Sequence, residues 1–589
     1  MKTVISFFCI IIAGLSGLNA QDNPLVWHDP VKSDFAVVEG QGWPDEVTEP
    51  YDRLPHWAED KVREDVWWLS RQSAGLVIRF YTDAINIKVR YMVDGDQAMP
   101  HMPATGVSGV DLYAVDSDGD WKWLRGGWSF KDTITYHFNA ITPNDSYHKM
   151  GREYRLFLPL YNKVNWLEIG VGKSDYFEFI PVRKDKPIVV YGTSIAQGGC
   201  ASRPGNAWTS ILSRKMDRPL INLAFSGNGR LEPEIIAMIG DIDAKVFILD
   251  CLPNLTPGRN FTKEDIMIRT RAAVEDLRIR HPTTPIVLAE HGGYTDGPLD
   301  VVRRRQYEGA NEALRIVFNS LVLEGYSQLY LLPGEDFNLD FDTMVDGTHP
   351  NDIGMLRYAE GYEQFLRKVL NEPVGVFSTA KPVIQRREPA NYEWSERHNQ
   401  ILEYGQLNKP ENIIIGNSII HFWGGQPEGP KAVGKESWDK YLWKKTANYA
   451  YGWDRVENVL WRVYHDELDD VKPEKIIVLI GTNNLHLNTD EEIVAGLELL
   501  AKAVSYRQPQ AELFFCAVLP RRDHEQRVAT LNDKVRMALS LQEELKFVDV
   551  GVGLLGGNGK INEVLFYDGL HPNEAGYKIL GQALGEVLK

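Results

Sequence analysis

The block Asp-Gly-x-His-Pro-Asn occurs twice in this chain, in VDGTHPND from Val345 to Asp352 and in YDGLHPNE from Tyr567 to Glu574. Each copy leads into a segment with helical spacing of apolar residues. Reading outward from the two copies exposes one rhythm played twice. PIVVYG (187–192), AKVFILD (244–250), TPIVLAE (284–290) and QLYLLP (328–333) are short apolar runs of the kind found in strands buried on both faces. A helical segment near Trp208 to Arg214 and the amphipathic EDIMIRTRAAVEDLRIR (264–280) lie between them. NIIIGN (412–417), KIIVLIG (475–481), ELFFCAVLP (512–520) and LKFVDVG (545–551) restart the pattern, which ends in EAGYKILGQALGEVL (574–588). Strands alternating with helices mean a parallel sheet covered on both faces. The second half is therefore read as a diverged repeat of the middle, and each repeat ends in the same loop.

The stretch before the first repeat has a different period. GLVIRFYTDAINIKVRYMV (75–93), GVDLYAVDSDGDWKWL (109–124) and YRLFLPLYNKVNWLEIGV (154–171) each read as two alternating strands around a turn, which predicts a β-sandwich. Nine of the sixteen Trp fall between Trp27 and Trp166, and serve either as sandwich core or as a stacking platform for sugar rings. Asp116, Asp118 and Asp120 lack the acidic twelfth ligand of a calcium loop and read as a solvated hairpin turn. The predicted organisation is a signal peptide over 1–20, a β-sandwich over 21–184, α/β domains over 185–371 and 393–589, and a linker over 372–392 holding Pro373, Pro382 and Pro389. The first twenty residues pair Lys2 with an apolar run too short to span a bilayer, so a soluble, exported mature protein is expected. No later segment approaches transmembrane length. A net charge of −17 argues against a nucleic-acid partner. No Cys/His pairs at zinc spacing occur, and neither metal nor cofactor is expected.

Each repeat opens on strand-Gly-x-Ser-Ile: YGTSIAQGG around Ser194 and IGNSIIHFWGG around Ser418. A serine just past the carboxyl end of a first parallel strand lies where α/β folds build sites, although one such serine alone could equally be a helix N-cap. A serine nucleophile needs a general base, and the base needs an orienting acid. The duplicated loop supplies both, as Asp346 with His349 and Asp568 with His571. Acyl transfer also needs donors for an oxyanion. NLAFSGNGRLE offers Gly227 and DCLPN offers Asn254; NYAYGWDRVENVLWR offers Gly452 and IGTNN offers Asn483. A tight turn and a strand-end cap are the plainer roles for such Gly and Asn.

Ser, Gly, Asn and His in four separated blocks resemble the SGNH, or GDSL-type, hydrolase superfamily. The likeness covers both α/β repeats. In the second, through GNSI, GTNN and DGLHP, it runs toward platelet-activating-factor acetylhydrolase-type members. In the first, CLPN departs from the family's third block, and Thr193 and Asn417 stand where the family has Asp before Ser. The β-rich part with GTSIAQGGCASRPG is similar to bacterial secreted SGNH proteins associated with glycan breakdown. The resemblance implies three-layer, flavodoxin-like domains and metal-free ester hydrolysis through an acyl-enzyme. It implies an acetylated glycan or oligosaccharide as substrate. Two alternatives are a lipid or acyl-chain esterase and a glycan-binding protein with one or no active repeat. If Ser194 and Asn254 share a site, Cys200 and Cys251 lie near each other, either as a disulfide bracing it or as two buried thiols; Cys516 reads as core. His291, Arg203 and Glu290 are candidates to line the first pocket or the surface, and Trp423 to shape the second pocket or fill core.

Overall fold

The computed structural model describes residues 24–143, 150–258, 260–442, 445–542 and 544–589. The expected signal segment lies outside them. Among the described residues no helix is long and apolar enough to cross a membrane.

The N-terminal part is two antiparallel sheets. One runs Leu25–His28, Val164–Gly172, Ile87–Val93, Ile134–Phe138, Gly127–Ser129; the other runs Phe177–Phe179, Val77–Thr82, Arg152–Phe157, Asp111–Val115, Trp121–Leu124. Leu76, Ile78, Phe80, Val89, Tyr91, Leu112, Leu156 and Leu167 fill the core between them. Of the three strand–turn–strand segments, only Asp111–Leu124 forms a hairpin. Val77–Thr82 and Ile87–Val93 pass into opposite sheets, as do Arg152–Phe157 and Val164–Gly172. Alternation reports which side chains point inward and is blind to which neighbour a strand takes. Val77–Thr82 is buried along its whole length: one face packs in the sandwich, and on the other Arg79 pairs with Glu153 while the Tyr81 hydroxyl meets Ser395 of the second hydrolase domain at 3.0 Å.

Each of the two following domains holds a five-stranded parallel sheet with strand order 2-1-3-4-5. The first is Leu220–Ala224, Ile188–Gly192, Val246–Asp250, Ile286–Ala289, Leu329–Leu332; the second is Thr446–Ala450, Asn412–Gly416, Lys475–Leu479, Glu512–Cys516, Leu545–Val548. In the first, Trp208–Met216 and Asp352–Val369 cover one face, and Pro233–Ile239, Lys263–Arg280 and Val301–Leu323 the other. The second repeats this with Lys435–Tyr441 and Glu574–Leu588 against Val456–Tyr464, Asp490–Arg507 and Glu525–Leu539. In this order the chain reverses direction at the first strand, opening a crevice at its carboxyl end.

The three parts share cores. Trp43, Leu54, Val66 and Trp67 of the N-terminal part pack with Tyr191, Phe225 and Leu249 of the first α/β domain. Residues 372–392, expected as a linker, are bound in place: Ile384, Gln385, Arg386 and Arg387 are buried. Arg386 pairs with Glu393, and Arg387 reaches Asp118 at 2.6 Å. Asp118 also meets Arg455 at 3.2 Å, so the expected solvated turn, with Asp118 still half exposed, serves in addition as a tie to the second hydrolase domain. At the junction Asp185 lies between His398 at 2.8 Å and His465 at 3.0 Å, all three buried. Asp466 accepts from Arg218 and Lys245, and Asp217 from Arg155, Arg183 and the Trp461 indole. Burial alone would lower the His398 imidazolium, but Asp185 and Glu467 outweigh it and lift the group to about 9.

Candidate active sites

The duplicated loop is explained residue by residue. Asp346 Oδ1 accepts from the N–H groups of Thr348 and His349 at 3.0 and 2.8 Å, and Oδ2 faces His349 Nδ1 at 2.8 Å. Asp568 does the same with Leu570, His571 and the His571 ring, at 2.9, 2.8 and 2.8 Å. The turn this demands puts Gly347 and Gly569 at φ +77 and +80, where a side chain is strained. Asn351 and Asn573 cap the following helices, each accepting from two backbone N–H groups. The motif thus packs an oriented imidazole and a helix start into six residues.

Across the crevice, Ser194 and Ser418 open four-residue helices directly after the first strands. Ser194 Oγ is 2.9 Å from His349 Nε2, and Ser418 Oγ is 2.9 Å from His571 Nε2. With Nδ1–H donating to the carboxylate, Nε2 is the acceptor for the serine proton. Burial pushes the Asp346 and Asp568 carboxyls up, but the bonds from the His backbone N–H and ring prevail and hold both below the ordinary carboxylate range. Both serines are buried, while each imidazole keeps about a quarter of its surface exposed at 24%.

The strand register fixes which donors correspond. Gly192 pairs with Ala224 and Asp250, and Gly416 with Ala450 and Leu479. Asn254 therefore corresponds to Asn483, whereas Gly452 corresponds to Ser226 and Gly227 to Trp453. Backbone geometry agrees: φ is +70 at Gly227 and +62 at Trp453. The Gly452 N–H is taken by His421 Nδ1 at 2.9 Å, and the Ser226 N–H by Gln197 Oε1 at 2.9 Å. The expected Gly227–Gly452 pair is thus out of register by one, and Trp453 holds the place of Gly227. Asn254, with its amide oxygen toward the Asn228 and Gly229 N–H groups at 3.0 and 3.2 Å, has its NH2 on the other side. Asn483 Nδ2 donates to the Asp454 carbonyl at 2.9 Å.

Gln197 and His421 stand three residues after the two serines and were not singled out from the sequence, although YGTSIAQ and IGNSIIH align without a gap. Also unforeseen is the wall of the first site. A cleft of about 510 Å³ at Ser194 and His349 is lined by Asp65, Trp68, Gln72, Met99, His101 and Tyr161 of the N-terminal part. Trp68 is 65% exposed there. The His101 ring lies 6.1 Å from that of His349, and Tyr161 O–H donates to the Ser194 carbonyl at 3.1 Å. In the second domain Asn417 caps Ile419 N–H; Thr193 makes no such bond.

Other expectations fall away from the sites. Cys200 and Cys251 are both free thiols, so the disulfide is not formed. Cys251 points into the core under the Lys263–Arg280 helix, its Sγ toward the Tyr191 carbonyl at 3.5 Å. Cys200 lies on the catalytic side, where burial and then Asp346 push its thiol up to about 12. Cys516 is core. Glu290 is buried against Arg315 and, with His291, lines a separate cleft of about 530 Å³. Arg203 binds Asp111 and Tyr113 at 2.6 and 2.7 Å. Trp423 is fully buried, stacked on Tyr577. No cluster of His, Cys, Asp and Glu suited to a metal occurs among the described residues.

Comparison with known proteins agrees with this architecture. A family model described as GDSL-like lipase/acylhydrolase matches residues 185–367, and a second of the same description matches 414–579. A model described as the N-terminus of esterase SGNH hydrolase-type proteins matches 25–177. A solved structure described as a GDSL-like lipase from Bacteroides ovatus ATCC 8483 is 31% identical, with a TM-score of 0.54, and the match covers 59% of this chain and 98% of that one. Platelet-activating factor acetylhydrolase IB subunit alpha1 of Bos taurus is 28% identical over 214 residues, 36% of this chain and 88% of its own. The alpha2 subunit of Rattus norvegicus is 28% identical over 200 residues, 33% of this chain and 83% of its own. The chain belongs to the GDSL, or SGNH, lipase–acylhydrolase family, with two such domains in tandem, and is by that membership an ester hydrolase.

Proposed function

We propose that this chain is an exported esterase that removes acetyl or other short acyl groups from carbohydrates at two serine centres. The carrying observation is the doubled Ser–His–Asp chain, with Oγ to Nε2 at 2.9 Å in each domain. In the first centre His349 Nε2 takes the Ser194 proton as Oγ attacks the acyl carbon; in the second, His571 serves Ser418. The carbonyl oxygen becomes an oxyanion, received by the serine N–H, the Asn254 or Asn483 amide and the backbone at Gly227 or Trp453. The imidazolium then protonates the leaving alcohol. Water enters, loses its proton to the same imidazole and releases the acid. Asp346 and Asp568 keep Nδ1 protonated and balance the imidazolium.

Acetyl is favoured by the name of the acetylhydrolase relatives. A sugar as the alcohol half is favoured by the first cleft, which is open and presents Trp68 as a flat apolar face among Asp65, Gln72 and His101. Phe422, 5.7 Å from the His571 ring, gives the second site an apolar side that a lipid ester would also suit. Acetate release from acetylated polysaccharides and from an acetylated ether phospholipid tests both readings. Release from glycans that Ser194→Ala and Ser418→Ala together abolish supports the proposal; release from the phospholipid alone defeats it.

A further inference from the structure

The segment joining the hydrolase domains folds over the second site. Gln385 Nε2 and the Tyr392 hydroxyl both donate to the Gly452 carbonyl, at 2.9 and 2.7 Å, and the Tyr392 ring meets that of His421 edge-on at 4.7 Å. Between these anchors Glu388 points at the Gly452 loop, where a Cβ on Gly452 would run into its Oε2. Oε1 accepts from Asn391 Nδ2 at 2.6 Å. Oε2 is shielded from solvent and has no hydrogen-bond partner in the protein. Lys431 attracts it, as does His571 whenever its ring is protonated. Lys431 lies 4.7 Å from the Phe422 ring, beside His571. Burial raises the carboxyl above its ordinary value against the pull of Asn391, Lys431 and His571.

A buried acceptor without a donor costs free energy, so its retention needs an explanation. Here the unsatisfied oxygen adjoins Gly452, just past the end of the strand that pairs with the Ser418 strand. The first site has no counterpart: the loop residue Ser226 is neighboured by the Gln197 amide, itself held by Gln72 and the Leu160 carbonyl. A carboxylate oxygen so placed matches an O–H group close to the ester.

We propose that Glu388 is a specificity residue of the second site, whose unsatisfied oxygen, once the side chain turns toward the crevice, accepts a hydrogen bond from a hydroxyl neighbouring the ester, and so selects partly acetylated polyols over esters without a hydroxyl. This rests on the esterase reading of that site. The test uses the full chain with Ser194→Ala to silence the first centre. It compares kcat/KM for a singly acetylated methyl glycoside bearing a free vicinal hydroxyl, for p-nitrophenyl acetate and for acetylcholine. Glu388→Ala should lower the preference for the glycoside over p-nitrophenyl acetate at least tenfold, and Glu388→Gln, which keeps an acceptor oxygen, should lower it less. An unchanged preference in Glu388→Ala overturns the proposal, because a scaffolding role would depress both substrates together. A loss confined to acetylcholine also overturns it and assigns the oxygen to a cation. If no substrate shows turnover that Ser418→Ala removes, the esterase reading of this site fails and takes the proposal with it.

Discussion

The hydrogen bonds of the two Asp–His loops and their serines match within 0.1 Å, whereas the surroundings of the two loops share almost nothing. At Ser194 the wall comes from the N-terminal part: Trp68, Gln72, Met99, His101 and Tyr161. Near Ser418, residues 385–392 instead reach the Gly452 loop through Glu388 and Tyr392, Phe422 lies against His571, and Lys431 lies over Phe422. In each case the segment preceding the α/β domain doubles back over the crevice. The catalytic loop is self-contained, since its hydrogen bonds join neighbours in sequence, and so it survives duplication. The wall depends on whatever lies upstream, and two copies of one domain in a single chain have different upstream segments. On the proposed esterase reading, that arrangement lets specificity diverge while the chemistry is retained.

The sharpest way to break the comparison is to remove each nucleophile. Ser194→Ala and Ser418→Ala should each lower turnover of its own substrates by about 10,000-fold or more, while a serine-directed phosphonate still labels the other centre. Loss of all labelling from a single change would mean one domain is catalytically silent. Asp346→Asn and Asp568→Asn should cost about 10,000-fold in kcat with little change in KM, because the amide permits the wrong imidazole tautomer; steady-state kinetics on separate substrates would read this. Trp68→Ala should raise KM at the first site about fivefold, in line with about 1 kcal/mol for an aromatic platform, and leave the second site untouched. Equal effects at both sites would contradict separate walls. Gln197 and His421 hold equivalent N–H groups, so His421→Gln should retain most second-site activity where His421→Ala loses several-fold in kcat. Failure of the Gln rescue would show that the imidazole does more than accept that N–H.

A smaller effect concerns stability. His398 is lifted from an ordinary 6.5 to about 9 in the folded protein, with burial opposing and Asp185 and Glu467 prevailing. A group whose folded value is raised contributes stability fully below its unfolded value and loses it as pH climbs through the folded one. Melting temperature should therefore fall between pH 7 and 9 in the intact chain, and His398→Gln should flatten that fall. Enzymatic assays at the two sites, run below the melting range, should not register the change.

Much of this was legible in the sequence where its cause is local. The duplicated loop bonds to itself, so the pairing of Asp346 with His349 and of Asp568 with His571 could be read directly. The parallel strands are continuous apolar runs because both faces are buried. What could not be read involves partners far apart in sequence. Trp68 resembles any other tryptophan of the sandwich until the first crevice is placed beside it. Pro382, Pro389 and the charges of 372–392 look like a solvated spacer, but Arg386 and Arg387 find acids on other elements and Gln385 finds a carbonyl on the Gly452 loop. The one-residue offset between Gly227 and Gly452 is invisible without strand register, because both blocks carry a glycine near the right place. The cysteine pairing failed for a related reason: proximity along the crevice says nothing about which side of the sheet a side chain takes.

Asp185, seated between His398 and His465, has a consequence for long substrates. With charges, indoles and a shared core joining the domains, the separation of the two serines is a property of the fold and not of a tether. A flexible connection would let the centres sample many distances and would present a polymer to the second at a concentration set by chain length. If the proposed carbohydrate reading holds, a polysaccharide held at one crevice would meet the other only at a fixed spacing along its backbone, and glycans whose decorated positions recur at that interval would be favoured.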